Sequence, residues 1–454
     1  MLNRLVRRTG VRRATFAAAA LLLSACSVDK VLEVPDPDVS RPDVLNGKAS
    51  LPILLAGAVG DFQVAFAGTG GNTGLEGLVN MTGLFTDEFS FTETFPTRVQ
   101  VDKRSIDRNN ATMVAIYFTV QRARQSAYRA ESSYAKLAAT DTGYAEALSL
   151  EGYSFLMLAE SYCSGVPITK TDASGNIIPG QPLTTQQLLD SAINRFSMAL
   201  DVANTSGSSF LANLANVGQA RALLFKNNSN LAAAAALVAS VPADFQYTIF
   251  SSSNTDRQNN GVFELQWLEG RWAQANHEGT NGLLYRSGDP RTPFADLGLG
   301  FDNARELFAS LKYPSRDAST VLASYTEAQL IIAESQLATN YAGANGTLAI
   351  LNALRADAGM APLAAAATPA AQLAQLFSER AFWLYLTDHR LGDLRRLARA
   401  TANGGYGLGS EAVFPTGTYT GRGGGVYGPD VNFPIPIEEA NSNPNAPQCL
   451  DRLP

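Results

Sequence analysis

The chain has 454 residues, with 35 lysines and arginines against 41 aspartates and glutamates. Five of the arginines lie within the first 25 residues, so residues 26–454 carry 30 basic and 41 acidic side chains, a net charge of −11. This balance argues against nucleic acid or an anionic membrane face as the main partner, because phosphate binding needs a basic surface. Hydrophobic residues make up 46% and charged residues 17%, which excludes a disordered chain and a coiled coil.

The N-terminus has the pattern of an export signal. Residues 1–13 are basic, and the apolar stretch 14–25 is too short to span a membrane, so residues 1–25 are predicted to be a signal peptide. The stretch ends in Leu-Ser-Ala followed by Cys26, which resembles the bacterial lipobox. That resemblance implies cleavage before Cys26 and attachment of fatty acids such as palmitate to it. An ordinary secretion signal with a chance cysteine is the alternative.

A body held by lipid alone is expected after the signal. Residues 26–45 are rich in proline and aspartate and predict an extended tether, and residues 46–454 form the predicted domain. After Cys26 no apolar run approaches the roughly 18 residues of a spanning helix. Stable anchoring then needs more than one acyl chain on Cys26, because a single chain binds a membrane only marginally.

Two cysteines remain after Cys26, namely Cys163 and Cys449. Export places them in an oxidising compartment, where a disulfide persists. A Cys163–Cys449 bridge is the simplest arrangement. Two buried thiols are the alternative.

Helical periodicity dominates the domain and predicts a mostly α fold. Gly218 and Pro242 have the spacing found in tetratricopeptide units, and short breaks between helices predict stacked, tetratricopeptide-like hairpins. The predicted helices cover residues 47–66, 108–139, 144–162, 184–203, 213–226, 230–240, 325–338, 346–358 and 370–388.

Two regions break the helical pattern. Residues 244–322 contain a probable strand at 261–268 and loops rich in glycine, asparagine and aromatic residues. Residues 403–433 combine many glycines with interleaved aromatics, including Tyr419 and Tyr427. A flexible linker has such a glycine content, but regular aromatics favour an ordered surface loop, because aromatic side chains in loops need a docking surface.

Catalytic and metal-binding motifs are missing from the sequence. There are two histidines in total, and no nucleophile elbow, zinc motif, phosphate loop or Cys-x-x-Cys pair. The adjacent acids Asp87-Glu88 and Glu438-Glu439 are interpreted as solvated surface charges, since neighbouring side chains point apart. We therefore expect no enzymatic activity, no cofactor and no metal.

Four characteristic segments follow one another along the chain. They are the lipobox cysteine with its tether, a helix ending in Tyr162 and the turn Gly165-Val166-Pro167, a charged central set between Glu327 and Arg396, and a C-terminal Pro-Ile-Pro-x-x-Glu segment that starts at Pro434. In this order they resemble the SusD/RagB family of outer-membrane nutrient-binding lipoproteins. The resemblance covers most of residues 26–454. It implies a mostly α fold in which tetratricopeptide-like hairpins form a scaffold and irregular segments, with minor β structure, cover it.

The same resemblance implies a non-catalytic role at the cell surface. Such proteins lie over a SusC-like TonB-dependent transporter in the outer membrane, face the exterior, bind a nutrient oligomer and pass it on. The hairpins would face the transporter and the irregular region the ligand, which we expect to be an oligosaccharide, with a peptide or another polymer as alternatives.

The central set of charged residues is predicted to have structural roles. Glu327, Glu334 and Arg355 are expected on neighbouring helices, where they pair across the helices. The second group ties a helix end to the following turn by charge-assisted hydrogen bonds. It consists of Glu379, Arg380, Arg390 and Asp393.

Aromatic side chains with polar neighbours are the ligand-contact candidates, because sugar rings present apolar C–H faces. They are Trp267, Trp272 and Tyr285, with Arg286 beside them. Trp272 is the stronger candidate, since Trp267 lies inside the predicted strand and fits a core position equally well.

Two other functions remain open at the sequence level. One is an envelope scaffold lipoprotein that binds a protein partner through its tetratricopeptide-like hairpins. The other is a surface hydrolase with a carboxylate pair that the sequence motifs do not reveal.

Overall fold

The computed structural model of the chain describes residues 47–71, 74–171, 176–279, 282–446 and 448–454. The predicted signal peptide, the tether and Cys26 lie outside these residues. The chain divides into two compact units, residues 1–50 and 51–454, and the described part of the first contains a 3₁₀ turn at Lys48–Ser50. The following paragraphs concern the second unit.

The first half of this unit is helical, as the periodicity predicted. Polar side chains start several of the helices: Asn110 accepts a hydrogen bond from the backbone of Met113, and Thr184 forms a reciprocal capping box with Gln187. The helices are α1 (Leu51–Ala67), α2 (Gly77–Phe85), α3 (Pro96–Asp102), α4 (Ala111–Leu137), α5 (Thr142–Ser161), α6 (Thr185–Ser206), α7 (Ser209–Lys226) and α8 (Leu231–Val238).

Consecutive long helices pack as hairpins, which confirms the predicted mostly α architecture. The α5, α6 and α7 helices meet where Tyr153 lies edge-on to Phe196, with ring centroids 4.9 Å apart. Gly218 on α7 faces the same ring, and a Cβ atom there would lie 2.4 Å from Phe196. Glycine is therefore needed at this close helix crossing.

The C-terminal half adds further helices, of which those between residues 325 and 413 pack around a small second core. They are α9 (Gly261–Phe263), α10 (Tyr325–Gln336), α11 (Thr347–Asp357), α12 (Pro369–Trp383), α13 (Arg390–Ala398), α14 (Ser410–Val413) and α15 (Ile437–Ser442). The helix predicted at 370–388 ends earlier, at Trp383. A turn follows, in which Leu386 and Asp388 have φ of +52° and +63°. The backbone N–H of Leu386 donates to the buried carboxylate of Glu88, and this hydrogen bond holds the turn in place.

Strands in the described residues form two-stranded antiparallel pairs and no larger sheet. The pairs are β1 (Phe89–Phe91) with β7 (Trp272–Gln274), β2 (Val166–Pro167) with β5 (Pro182–Leu183), β3 (Lys170–Thr171) with β4 (Ile177–Ile178), β6 (Gln246–Ile249) with β10 (Thr320–Ser324), and β8 (Phe294–Leu299) with β9 (Glu306–Ser310).

The prediction of a strand at residues 261–268 is wrong. The Asn260 side chain accepts hydrogen bonds from the backbone N–H groups of Val262 and Phe263 and starts α9, which continues as a π-helical turn, Glu264–Leu268. Helix capping by the residue just before the segment thus overrides its β-like composition.

One helical segment differs from the expectation about membrane spans. Lys48–Ala67 has 20 residues and a mean hydropathy of 1.5, long and apolar enough to cross a membrane by length and composition. Phe62 and Phe66 in its second half are buried in the core of the unit, where α1 packs on α4 and α5. A core helix passes the same test, so this segment is weak evidence for a membrane span.

The structure joins Cys163 to Cys449 in a disulfide, with Cα atoms 5.9 Å apart. The C-terminal tail packs on the turn after α5, where the backbone N–H of Leu450 donates to the carbonyl of Ser164. Gly165 has φ of +109°, and a Cβ atom there would lie 2.8 Å from the Leu450 nitrogen. The turn therefore needs glycine both for its conformation and for the approach of the tail.

Candidate ligand-binding site

The preferred ligand candidate of the sequence, Trp272, is a core residue. It lies on β7, is fully buried, and packs edge-on against Phe89 and Phe91 with ring centroids 6.0 and 6.1 Å away. The polar residues next to Trp272 in the sequence suggested a surface position, but the two phenylalanines of β1 cover its indole ring. The prediction that Trp272 contacts the ligand is therefore wrong.

Tyr285 is buried as well, and its hydroxyl donates to Glu278 at 2.6 Å. The same Glu278 carboxylate receives two hydrogen bonds from the Arg390 guanidinium, each of 2.6 Å. Tyr285 thus belongs to a buried ion pair and does not face a ligand. Arg390 has the structural role that was predicted, although its partner lies in the irregular region and not on the adjacent turn.

Trp267 is half-buried on the π-helical turn. Its ring stacks on Phe263 at 6.2 Å, and its indole N–H donates to the carbonyl of Ser310 at 3.0 Å. Both contacts hold the ring within the protein, in line with the core interpretation of this residue.

Arg286 is the candidate that lines a cavity. The cavity, here called the tyrosine cleft, has a volume of about 290 Å³. The 244–322 region and the glycine-rich loop, predicted separately as irregular segments, both contribute walls to it. Its polar and charged lining groups include Asp87, Asp102, His277, Arg286, Arg305, Glu306, Tyr419 and Tyr427.

Hydrogen bonds from two tyrosine hydroxyls hold the glycine-rich loop in place over this cleft. The Tyr419 hydroxyl donates to Asp102 at 2.5 Å, and the Tyr427 hydroxyl donates to Asp87 at 2.7 Å. The two rings stand perpendicular to each other, 5.3 Å apart. The loop is ordered, as its regular aromatics predicted.

Burial raises the pKa of two of the three carboxyl groups that line the cleft, those of Asp87 and Asp102. It raises the pKa of Asp102 to about 7, against the hydrogen bond from Tyr419, which lowers it. Burial also raises the pKa of Asp87 well above its ordinary value, and the charge of Asp102 adds to the effect. The interpretation of Asp87-Glu88 as solvated surface charge is therefore wrong, since both side chains are buried.

An exposed aromatic pair borders the cleft. Phe95 and Phe301 are 45% and 51% exposed, and the guanidinium carbon of Arg271 lies 5.8 and 4.9 Å from their ring centroids. We call these three residues the aromatic rim. The backbone carbonyl of Thr92, which lines the cleft, accepts a hydrogen bond from the backbone N–H of Asp302, next to Phe301, so the rim lies beside the cleft.

The sequence analysis missed both rim phenylalanines. Phe95 comes directly before the proline that starts α3, and Phe301 sits in the turn between β8 and β9. A large aromatic residue in a turn rich in polar and glycine residues is the signal that could have identified them.

The predicted charged set forms a buried network, but with other pairings than expected. Glu334 receives hydrogen bonds from Arg396 at 2.6 and 3.0 Å and from the Tyr406 hydroxyl at 2.6 Å. Arg380 makes two hydrogen bonds to Asp393, of 2.8 and 3.0 Å. These contacts join α10, α12 and α13, which is the structural role predicted for Arg380 and Asp393.

Arg355 pairs with Glu379 at 2.8 Å and not with Glu327 or Glu334. Glu379 also binds Arg291 of the irregular region, which no sequence pattern indicated. Glu327 lies 3.0 Å from Nε2 of His389. Glu327, Glu334 and Glu379 thus connect the second helical core to neighbouring segments of the protein. They are not among the residues that line the tyrosine cleft.

No group of three or more histidine, cysteine, aspartate or glutamate side chains that could hold a metal ion occurs among the described residues. No protein-family model matches the sequence, and no curated protein matches it.

Solved structures share the fold over nearly the whole domain. A SusD superfamily protein from Parabacteroides distasonis matches with a TM-score of 0.64 at 16% identity, covering 88% of this chain and 98% of that one. A laminarin-binding SusD-like protein matches with a TM-score of 0.61 at 14% identity, covering 89% and 99%. Surface glycan-binding protein A from Bacteroides uniformis matches with a TM-score of 0.56 at 15% identity, covering 88% and 99%. The chain therefore has the SusD-like fold that its sequence resemblance implied.

Proposed function

We propose that this chain is a SusD/RagB-type lipoprotein of the outer membrane that binds an oligosaccharide and delivers it to a SusC-like TonB-dependent transporter. The observation that carries the proposal is the position of the aromatic rim beside the tyrosine cleft, on a SusD-like scaffold. Fold alone does not specify function, so the argument depends on this site.

The chemistry of the site suits a sugar chain. Phe95 and Phe301 are 45% and 51% exposed and offer apolar ring surface to the C–H face of a sugar. The adjacent cleft offers hydroxyl, imidazole and guanidinium groups for its hydroxyls. A cleft of about 290 Å³ lies at the lower end of small-molecule sites, which range from roughly 300 to 1,000 Å³. It would hold a short segment, with the rest of the oligomer across the rim.

The site favours binding over turnover. Asp87 and Asp102 are buried, and each accepts a hydrogen bond from a tyrosine that anchors the loop. Their hydrogen bonds hold a segment of the protein in place. We therefore propose a non-catalytic role, in contrast to the hydrolase alternative.

The lipid anchor and its location belong to the same proposal. The lipobox at Cys26 supports lipidation, and the tether of residues 26–45 would keep the domain at the outer face of the outer membrane. Full-length protein that lacks incorporated palmitate, or a Cys26→Ser variant that still sediments with membranes, would contradict this part.

The binding function is tested with the full-length lipoprotein in detergent on an array of neutral and acidic oligosaccharides. We expect binding that the double variant Phe95→Ala, Phe301→Ala weakens by about tenfold or more, at an unchanged melting temperature. Phe250→Ala is the matched control, because Phe250 is 74% exposed but lines a different cavity. An array without any bound oligosaccharide would refute the proposal.

Delivery is tested by purifying the tagged protein from detergent-solubilised outer membranes. Co-purification of a large β-barrel transporter with a plug domain is the expected result. Recovery of soluble or wall-bound proteins alone would favour a different role.

The scaffold alternative is favoured by one observation on the helical side. A cavity of about 560 Å³, lined mainly by apolar groups, lies between α1, α5 and the segment after β6, with Phe250 at its edge. If the protein is a scaffold, Phe250→Ala releases a protein partner and the array shows no bound oligosaccharide.

A further inference from the structure

The arginines near the tyrosine cleft differ in how they are held. Arg305 is held by the carboxylate of Asp302, which also accepts its backbone N–H. Arg271 lies 3.1 Å from Glu93 and 2.8 Å from Glu269. Both guanidinium groups thus have close carboxylate partners within the protein.

Arg286 is held less closely, because its carboxylate partner, Glu306, is more distant and largely exposed. Its guanidinium carbon lies 3.9 Å from the ring centroid of Phe308, so stacking fixes its plane. Its Nε atom is buried without a hydrogen-bond partner. The nearest carboxylate, Glu306, is 3.7 Å from Nη1, which is too long for a hydrogen bond, and Glu306 is 73% exposed and free to turn into solvent.

From this geometry we infer that the tyrosine cleft selects an anionic oligosaccharide, whose carboxylate or sulfate group binds Arg286 in place of Glu306. A planar guanidinium fixed by stacking is prepared for two parallel, charge-assisted hydrogen bonds to such a group. The inference rests on the proposed function and specifies its ligand class.

The other groups of the cleft are compatible with an anion. Burial raises the pKa of Asp102 to about 7 and that of Asp87 well above its ordinary value, which lowers the negative charge that an anion meets in the cleft. The net charge of −11 on residues 26–454 disfavours non-specific adsorption of acidic polymers. An acidic oligosaccharide that binds must therefore do so at a local cation.

The test compares three probes on the full-length lipoprotein by calorimetry: tetragalacturonate, its fully methyl-esterified form, and a sulfated carrageenan oligosaccharide. At least one acidic probe is expected to bind about tenfold more tightly than the neutral ester, with an affinity that falls as salt rises. Arg286→Gln should remove that preference, so that the acidic probe binds no more tightly than the neutral ester.

Glu306→Gln gives a second, independent readout at an exposed residue. It removes the competing carboxylate, so the affinity for the acidic probe should rise by about two- to threefold. Because this variant needs no change in the buried part of the cleft, it keeps the inference testable if Arg286→Gln fails to fold.

The outcomes separate the inference from the proposed function. If neutral oligosaccharides bind on the array and neither acidic probe binds, the inference is overturned and the proposed oligosaccharide-binding function still stands. Acidic binding that Arg286→Gln does not change would do the same. If neither the array nor these probes show binding, the proposed function fails and the inference with it.

Discussion

The hydroxyl of Tyr427 lies 2.7 Å from a carboxylate oxygen of Asp87, although the two residues are 340 positions apart in the chain. The bond connects the glycine-rich loop near the C-terminus to the turn after α2. The neighbouring bond from Tyr419 to Asp102 repeats this arrangement on α3. The loop that closes the tyrosine cleft is thus positioned by the N-terminal part of the domain.

Removing the Tyr427–Asp87 hydrogen bond should make the glycine-rich loop more mobile. Tyr427→Phe deletes a hydrogen bond to a buried carboxyl, which costs about 1–3 kcal/mol of local stability. The exposed Arg422 bond within the loop should then be cut faster by trypsin. Tyr247→Phe is the matched control, since its hydroxyl donates to Glu146 at the same distance, 2.7 Å, elsewhere in the domain. Equal cleavage of both variants at Arg422 would contradict the pinning role.

The sequence predicted what depends on local pattern. Most helices were found because apolar spacing and capping residues are local signals, and the Cys163–Cys449 pair followed from a count of exported cysteines. Trp272 was misplaced because its burial depends on Phe89 and Phe91, about 180 positions away in the chain. The partner of Arg355 likewise depends on how α11 and α12 pack, which helical periodicity does not specify.

The disulfide should contribute strongly to stability. Cys163 and Cys449 are 286 positions apart, and in the chain-entropy model closing such a loop in the unfolded state stabilises the fold by about 5–6 kcal/mol, as an upper figure. The urea midpoint of the oxidised protein should fall on addition of reductant. Cys449→Ser should start at the lower midpoint and show no further response. Peptide mapping without reductant that finds both thiols free would refute the bridge.

Stability should decrease as the pH rises through the neutral range. Burial, together with repulsion from Glu151, raises the pKa of Glu131 from its ordinary 4.5 to about 8. Between these values the folded state binds a proton that the unfolded state has lost, so the contribution of Glu131 to stability is greatest below about pH 4.5 and declines towards pH 8. Glu131→Gln should reduce this decline and be more stable than the parent at pH 9.

Urea titrations at pH 5, 7 and 9 measure this effect. Glu306→Gln serves as the control. Because the Glu306 side chain is exposed, this substitution should leave the pH dependence of the unfolding free energy unchanged. A Glu131→Gln variant whose stability changes with pH as the parent's does would show that Glu131 titrates normally.

Arg390 provides the sharpest distinction between a structural and a binding role. Its guanidinium makes two hydrogen bonds of 2.6 Å to Glu278, which also receives the Tyr285 hydroxyl. Arg390→Ala would leave the Glu278 carboxylate buried and unpaired, so we expect a loss of about 3–5 kcal/mol in the free energy of unfolding. The double variant Arg390→Ala, Glu278→Gln should recover part of that loss, because the uncompensated charge is then gone. Thermal melting and oligosaccharide binding measured on the same preparations decide between the roles. An unchanged melting temperature with lost binding would mean that Arg390 acts on the ligand and not on the fold.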